Sequence, residues 1–140
     1  MPGDYALASL AVPDSLDLLH QLLERVSGEH PDVSADDLMM FETAIIEIAG
    51  NVVEHGRPVG KVVYEFGLDV LPGSLEGELI DNGQAFSHLD GADLVDGARL
   101  PDDHMDETGR GLFLAVAVLD ELHYTRTGGR NVWRMVRKRS

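Results

Sequence analysis

One long helical pattern constrains the fold of this chain more than any other feature. Apolar residues recur every three or four positions over several turns, which is the spacing of a helix with one buried face. They are Leu38, Phe41, Ile45, Ile48 and Val52. The segment Ser34 to Asp37 begins the pattern with a capping serine and first-turn carboxylates, and Gly56 ends it. The pattern therefore predicts a helix that follows this cap, runs to about His55 and packs on an apolar layer.

Further patterns surround this helix. Before the long helix, apolar residues at alternating positions predict a strand at Tyr5 to Val12. Another helix is predicted between this strand and the long helix, with a buried stripe from Leu16 to Val26. After the long helix, strands are predicted at Lys61 to Val70 and at Leu75 to Ile80, with a turn at Pro72-Gly73 between them. These two strands are expected to pair.

The second half of the chain has an acidic segment between two regular parts. Ser87 to Thr108 shows no strong periodicity, and we expect it to be a mobile lid, since long segments of this kind in a compact domain are often functional. Leu112 to Leu119 is apolar on all sides and predicts a buried helix. Leu122 to Thr127 and Asn131 to Val136 predict a hairpin closed at Gly128-Gly129.

The order of these elements predicts a single domain, residues 1–140. Its order is β-α-α-β-β-lid-α-β-β, which indicates an α/β fold with a layer of helices on a mixed or antiparallel sheet. A length of 140 residues fits one domain, and a hydrophobic fraction of 44% is enough for a core.

Composition excludes several classes of function. The formal net charge of −14 disfavours nucleic acid and anionic membranes as direct partners. The absence of cysteine excludes disulfides, thiolate zinc sites and cysteine catalysis. No apolar run approaches the ~20 residues that span a bilayer, and the first residues do not resemble a signal peptide. We therefore expect a cytoplasmic protein.

The first candidate site motif is Glu47-x3-Asn51-x3-His55 on the long helix. Residues four apart share one helical face, and this face lies roughly opposite the apolar stripe. An amide oxygen is a hard ligand suited to Mg²⁺, and a carboxylate beside it could polarise an attacking hydroxyl or water. The alternative interpretation is a solvated helix face with no ligand.

The second motif is Asp81-Asn82-Gly83, at the end of a predicted strand. An ionised carboxylate only accepts hydrogen bonds, so a buried one can recognise the exocyclic amine of adenine, a donor that guanine lacks at that position. Gly83 would let the backbone approach a ligand closely. An ordinary Asp-Asn-Gly turn is the alternative interpretation.

The third motif is Gly109-Arg110-Gly111, in front of the predicted buried helix. Free backbone N–H groups and the positive end of the helix dipole bind phosphate at such a position, and Arg110 would compensate for the acidic segment before it. The alternative is a glycine-rich helix start without a ligand. The third glycine of a dinucleotide-binding fingerprint is absent.

In this order the motifs resemble those of the GHKL (Bergerat-fold) ATPases, in particular the anti-sigma-factor serine/threonine protein kinases. Glu42 to Gly56 resembles the N box of the family, Leu79 to Phe86 the first glycine box, and Gly109 to Leu114 the second. Gly129 to Met135 resembles the last strand. The resemblance covers nearly the whole chain and implies a two-layer α/β sandwich of the GHKL, or histidine-kinase-like ATPase, type.

The resemblance also implies an activity and partners. It implies an ATP- and Mg²⁺-dependent kinase that phosphorylates a serine or threonine of a STAS-type antagonist, has a sigma factor as a second partner and forms a homodimer. Asn51 would coordinate Mg²⁺, and Glu47 would be the catalytic base. Asp81 would hold adenine, with Gly83 beside it. The cofactor-binding residues implied at the third motif are Thr108, Gly109, Arg110, Gly111 and Leu112.

Two positions depart from the family pattern, and two other functions remain open. Ala85 stands where the first glycine box often has a second glycine, and Asn131 replaces a threonine that is frequent near the end of the fold. One alternative is a nucleotide-binding regulatory module without kinase activity, which would need Asn51 and Asp81 but not Glu47. The other is a detached ATP domain of a histidine kinase, against which the lack of an acceptor-histidine helix bundle counts.

Overall fold

In the residues that this computed structural model describes, three helices lie against a six-stranded sheet. The structure describes residues 3–55, 61–86, 92–95 and 107–140, and of residues 55, 92, 93 and 107–111 it describes the backbone alone. The elements in chain order are β1 (Tyr5–Leu10), α1 (Ser15–Glu29), α2 (Ala35–His55), β2 (Val63–Val70), β3 (Ser74–Asp81), β4 (Ala92–Asp93), α3 (Glu107–Val118), β5 (Glu121–Thr127) and β6 (Arg130–Lys138).

The sheet has the strand order β1-β2-β3-β6-β5-β4, and all of its described pairs are antiparallel. β3 lies inside the sheet, between its neighbour in the chain, β2, and the last strand, β6. The predicted α/β architecture is confirmed, and of the two sheet types that the sequence left open the antiparallel one is observed. Because β3 and β6 pair directly, residues far apart in the sequence meet at the centre of the sheet.

One face of the sheet packs against the helices, and we call it the inner face. On β3 it carries the buried residues Leu75, Gly77, Leu79 and Asp81, which alternate with partly exposed residues as expected for a sheet with one solvated face. A Cβ on Gly77 would lie 3.2 Å from Phe66 Cε1 and 3.3 Å from Phe41 Cζ. Because Gly77 has no side chain, the Phe41 ring of α2 can pack directly against β3 at this position.

Helix α2 follows its sequence prediction closely. The predicted apolar stripe is buried, and the Ser34 hydroxyl accepts a hydrogen bond from the Asp37 N–H at 3.1 Å, as a helix cap does. The Asp37 carboxylate in turn accepts hydrogen bonds from Arg137 Nε at 3.0 Å and from the Ser140 N–H at 3.0 Å. The start of α2 is thereby attached to the end of β6.

Two predicted elements differ from the structure at their ends or on their faces. β1 ends at Leu10, because the Val12 N–H donates to the Leu10 carbonyl in a turn at 2.9 Å. α3 begins at Glu107 and is not buried on all sides, since Phe113 and Leu114 are 42% and 49% exposed. A helix on the surface of a sheet has a solvent side whatever its composition, so the prediction of a wholly buried helix was wrong.

The acidic segment 87–108 was predicted to lack regular structure, and the described part of it corrects this. Ala92–Asp93 forms β4, which pairs with Tyr124 and His123 of β5, and Leu94 is buried. Thr108 already belongs to α3. The rest of the segment, like the predicted helix stop at Gly56, lies outside the described residues. Within the described parts of the chain, no helix is long and apolar enough to cross a membrane.

Candidate functional site

Asp81 lies at the end of β3 on the inner face and is only 2% exposed. Its Oδ1 accepts hydrogen bonds from the Gly83 N–H and from Asn131 Nδ2, both at 2.8 Å. Its Oδ2 accepts one from Trp133 Nε1 at 3.2 Å. A carboxylate offers about four acceptor positions, so one position on Oδ2 remains for another donor.

The surroundings of Asp81 also perturb its ionisation. Burial raises the pKa of this carboxyl above its usual range, and the hydrogen bonds from Asn131, Gly83 and Trp133 and the charge of Arg126 offset only part of the effect. A buried carboxylate that still accepts a donor is costly to maintain unless a ligand uses it. Asp81 therefore has the chemistry of a recognition group and not that of a general surface acid.

The loop after Asp81 has both structural and ligand-facing features. The bond from the Gly83 N–H to the Asp81 side chain is the Asx-type turn that the alternative interpretation of this motif predicts. Asn82 faces β2, where its Oδ1 accepts from the Val63 N–H at 2.8 Å and extends the strand pairing. The turn uses only part of the Asp81 carboxylate, so turn formation and ligand recognition are compatible at this residue.

Asn51 is the second sequence-predicted residue with an unusual environment. It is 5% exposed on α2, which packs against β3 and β6. Its Nδ2 is buried, and no hydrogen-bond partner for it exists among the residues that the structure describes. Unpaired buried amides are rare in folded proteins, so this side chain is a candidate for contact with a ligand.

Glu47 lies one turn before Asn51 on α2 and is half-buried. In the described part of the chain no hydrogen bond or ion pair holds its carboxylate. By contrast Glu42, earlier on the same helix, pairs with His20 Nδ1 at 2.7 Å. No described residue therefore orients the Glu47 carboxylate.

The third motif lies inside α3 and not in front of it. Thr108, Gly109 and Arg110 lie in the first described turn of this helix. Gly111 follows them, and Leu112 is buried. The side chains of residues 108–111 lie outside the described part, so their predicted contacts with phosphate stay a prediction.

The described residues contain no group of three His, Asp or Glu side chains that could hold a metal ion by themselves. A metal held in this part of the chain would need ligands beyond such a group, and a bound nucleotide could supply them. Mg²⁺ fits this requirement, because it keeps several waters and binds phosphate oxygens together with one or two protein oxygens. Asn51 is suited to be such a protein ligand through its amide oxygen, whereas its unpaired Nδ2 is a donor that could contact a phosphate oxygen.

Four residues of the site were not predicted from the sequence as site residues. They are Tyr124, Arg126, Asn131 and Trp133. Asn131 and Trp133 share the inner face of β6 with Met135, and an asparagine in a row of buried positions is the one signal that could have pointed to it. Asn131 had been noted only as a departure from a family pattern.

Comparison with known proteins agrees with this geometry. Residues 10–137 match the family described as "Histidine kinase-like ATPase domain". Among solved structures, the RsbU and RsbW domains of Rv1364c from Mycobacterium tuberculosis resemble the chain with a TM-score of 0.63 and 19% identity. The match covers 96% of this chain but 33% of that one, so the chain spans about a third of its length. No curated protein matches the chain.

Proposed function

The chain belongs to the histidine-kinase-like ATPase family, and we propose that it is an ATP- and Mg²⁺-dependent serine/threonine protein kinase of the anti-sigma-factor type. Its substrate would be a STAS-type antagonist, and a sigma factor would be its second partner. A homodimer in the cytoplasm belongs to the same proposal. The similarity in fold to an RsbW domain supports the choice of this branch of the family.

The observation that carries the proposal is the buried Asp81 carboxylate with one unfilled acceptor position. Its three donors are all neutral groups of the protein, and among the described residues no cation contacts it directly. The exocyclic amine of adenine is a donor of the right kind for Oδ2. Guanine presents a carbonyl there, which would face the carboxylate and be repelled.

Asn51 would hold Mg²⁺ through its amide oxygen. When bound, Mg²⁺ supplies positive charge that neutralises the phosphates, which an acidic protein with a net charge of −14 needs in order to bind ATP at all. The N–H groups at the start of α3 would contact the phosphates from another side. A lid at residues 87–108 also belongs to this proposal, although Ala92–Asp93 within it pairs with β5.

Glu47 would act on the substrate hydroxyl. The serine or threonine oxygen attacks the γ-phosphorus, the bond to the β,γ-bridging oxygen breaks, and ADP leaves with that oxygen. The proton of the hydroxyl passes to the Glu47 carboxylate. The half-buried position of Glu47, one turn before Asn51 on α2, supports this role.

One observation on Glu47 favours a second function, a binding module without kinase activity. A positioned base is usually oriented by a partner, and within the described residues nothing holds the Glu47 carboxylate. A nucleotide-dependent binding module without phosphate transfer would need Asp81 and Asn51 only, and both of these are buried.

Phosphate transfer distinguishes the two functions. The protein is incubated with γ-labelled ATP, Mg²⁺ and STAS proteins encoded near its gene, and phosphoserine and phosphothreonine are measured by mass spectrometry. Stoichiometric label on one STAS protein supports the kinase. ATP binding with no label on any partner that forms a complex would favour the binding module.

A further inference from the structure

We propose that Asn131 and Tyr124 are positioning residues that set the base selectivity of Asp81 and hold the backbone of residues 83–86 beside it. This inference rests on the proposed ATP site. It concerns residues of the β5–β6 hairpin, which contact Asp81 and the loop behind it but are not themselves assigned to the nucleotide.

The side chain of Asn131 has every hydrogen-bonding position filled. Its Nδ2 donates to Asp81 Oδ1 at 2.8 Å and to the Gln84 carbonyl at 2.9 Å. Its Oδ1 accepts from the Tyr124 hydroxyl and from Arg126 Nη1, the latter at 3.0 Å. A flipped amide would place its oxygen against two acceptors and its nitrogen against the Arg126 guanidinium, so only one orientation is compatible with these neighbours.

Tyr124 connects this amide to the loop. Its hydroxyl donates to Asn131 Oδ1 and accepts from the Phe86 N–H at 2.9 Å. The Phe86 ring packs edge-on against Trp133, with 5.4 Å between ring centroids, and against Tyr124 at 6.1 Å. Arg126 Nη1 also donates to the Gly83 carbonyl at 2.7 Å. Backbone groups of residues 83, 84 and 86 are therefore all held by one hairpin.

This arrangement determines which part of Asp81 is offered to a ligand. With the Gly83 N–H and Asn131 both on Oδ1, the free acceptor position falls on Oδ2. Without Asn131, Oδ1 would keep only the Gly83 N–H, so each oxygen would have one unfilled acceptor position and the plane of the carboxylate would be held by one hydrogen bond fewer. A carboxylate held less firmly distinguishes an amine from a carbonyl less well, whereas contacts with the sugar and phosphates are unaffected.

A threonine at position 131 could not make the same set of contacts. Its hydroxyl has one donor, and so could serve either Asp81 or the Gln84 carbonyl but not both. The amide of Asn131 is thus what links the base-reading carboxylate to the loop in this chain. The departure from the family pattern gives the site a second attachment and does not disable it.

The test compares ATP with inosine triphosphate, which carries a carbonyl in place of the exocyclic amine. Affinities with Mg²⁺ are measured by calorimetry for the wild type, Asn131→Ala and Tyr124→Phe. Tyr64→Phe is the matched control, because Tyr64 is also fully buried on the inner face and its hydroxyl donates elsewhere, to the Ser15 carbonyl at 3.3 Å.

We expect the wild type to prefer ATP by roughly tenfold or more, which is the effect of one hydrogen bond to a charged group. Asn131→Ala should reduce this preference about fivefold, Tyr124→Phe about twofold, and Tyr64→Phe not at all. If Asn131→Ala does not fold, the comparison of the two tyrosine variants decides the question.

Equal losses for both nucleotides, with the preference unchanged in Asn131→Ala and Tyr124→Phe, would show a merely structural role and overturn the inference while leaving the ATP site intact. A wild type that binds ATP and inosine triphosphate equally would also overturn it. A wild type that binds neither would remove the proposed function, and the inference with it.

Discussion

Asn131 Nδ2 donates a hydrogen bond of 2.8 Å to Asp81 Oδ1 across the β3–β6 pair, so a carboxylate and an amide that are 50 positions apart in the chain form one buried polar pair. Both side chains are buried from solvent, since Asp81 is 2% and Asn131 0% exposed. The candidate base-recognition group is therefore part of the buried contact between the two central strands, β3 and β6.

Asp81→Asn should weaken ATP binding by roughly tenfold or more, because a donor replaces the acceptor that adenine needs. It should also lower the free energy of unfolding by about 1–3 kcal/mol, since an asparagine has one oxygen for three donors. Asp37→Asn is the matched control, because Asp37 is equally buried but lies at the start of α2. Calorimetry and urea unfolding should show loss of stability in both variants and loss of affinity in Asp81→Asn alone. Similar affinities in the two would make Asp81 purely structural.

The chain has one tryptophan, Trp133, and its indole N–H donates to Asp81 Oδ2. A ligand that shares this oxygen changes the environment of the indole, so ATP with Mg²⁺ should change the intrinsic fluorescence of the protein, and GTP should not at the same concentration. The titration midpoint should agree with calorimetry. If calorimetry shows ATP binding but the fluorescence does not change, the adenine base does not bind at Asp81.

Glu47→Gln should reduce phosphate transfer to the antagonist by ~10²–10⁴-fold, the usual effect of removing a positioned base. Nucleotide affinity should stay within a few-fold, because Asn51 and Asp81 are unchanged. Glu42→Gln is the control on the same helix, since Glu42 pairs with His20 of α1. Transfer at the wild-type rate in Glu47→Gln would exclude this residue from the reaction.

Gly77→Ala should lower the free energy of unfolding by about 1–3 kcal/mol, the cost of overpacking a core. Its new methyl group would lie 3.2–3.3 Å from ring atoms of Phe66 and Phe41. Gly28→Ala should have the opposite effect, because a methyl group on Gly28 in α1 would meet nothing within 4 Å, and alanine favours helix by up to about 1 kcal/mol. Thermal unfolding of both variants measures the contrast; equal shifts would contradict the packing argument.

Stability should fall in acid through Asp37. Backbone and side-chain hydrogen bonds, with that from Ser140 first, lower the pKa of Asp37 in the folded protein, although its burial opposes them. A carboxyl whose pKa is lower in the folded state stabilises the fold above its unfolded pKa of about 3.9 and loses this contribution as the pH falls through the folded pKa. Urea unfolding between neutral pH and about pH 3 should therefore decline less in Asp37→Asn than in the wild type. Parallel curves would exclude Asp37 as a contributor.

Local patterns in the sequence were enough to predict most elements of this fold. The stripe on α2, the Ser34 cap and the Gly128-Gly129 hairpin turn depend on neighbours a few residues away, and all three are confirmed, the last by positive φ angles of 58° and 77°. Asp81 was identified at the end of a predicted strand, as a carboxylate that could recognise adenine if it were buried. The structure confirms its burial, and its contact with adenine stays a prediction.

What the sequence did not predict depends on contacts between distant segments. The positions of Tyr124 and Asn131 relative to Asp81 follow from the register of β3 with β6 and of β6 with β5. The hydrophobic periodicity within one segment does not determine how distant strands pair. The exposed side of α3 was missed for a related reason. When every residue of a helical segment is apolar, the sequence does not show which side of the helix packs against the sheet. The exposed residues Phe113 and Leu114 therefore could not be distinguished from the buried residue Leu112.

During synthesis, Asp81 leaves the ribosome well before the two β6 residues that bind it, Asn131 and Trp133. Until β6 docks beside β3, water fills those positions and the carboxylate has no fixed direction. The proposed recognition of adenine would then be gained only after β6 docks. A nucleotide held through Asp81 would thus distinguish finished molecules from nascent or partly unfolded ones.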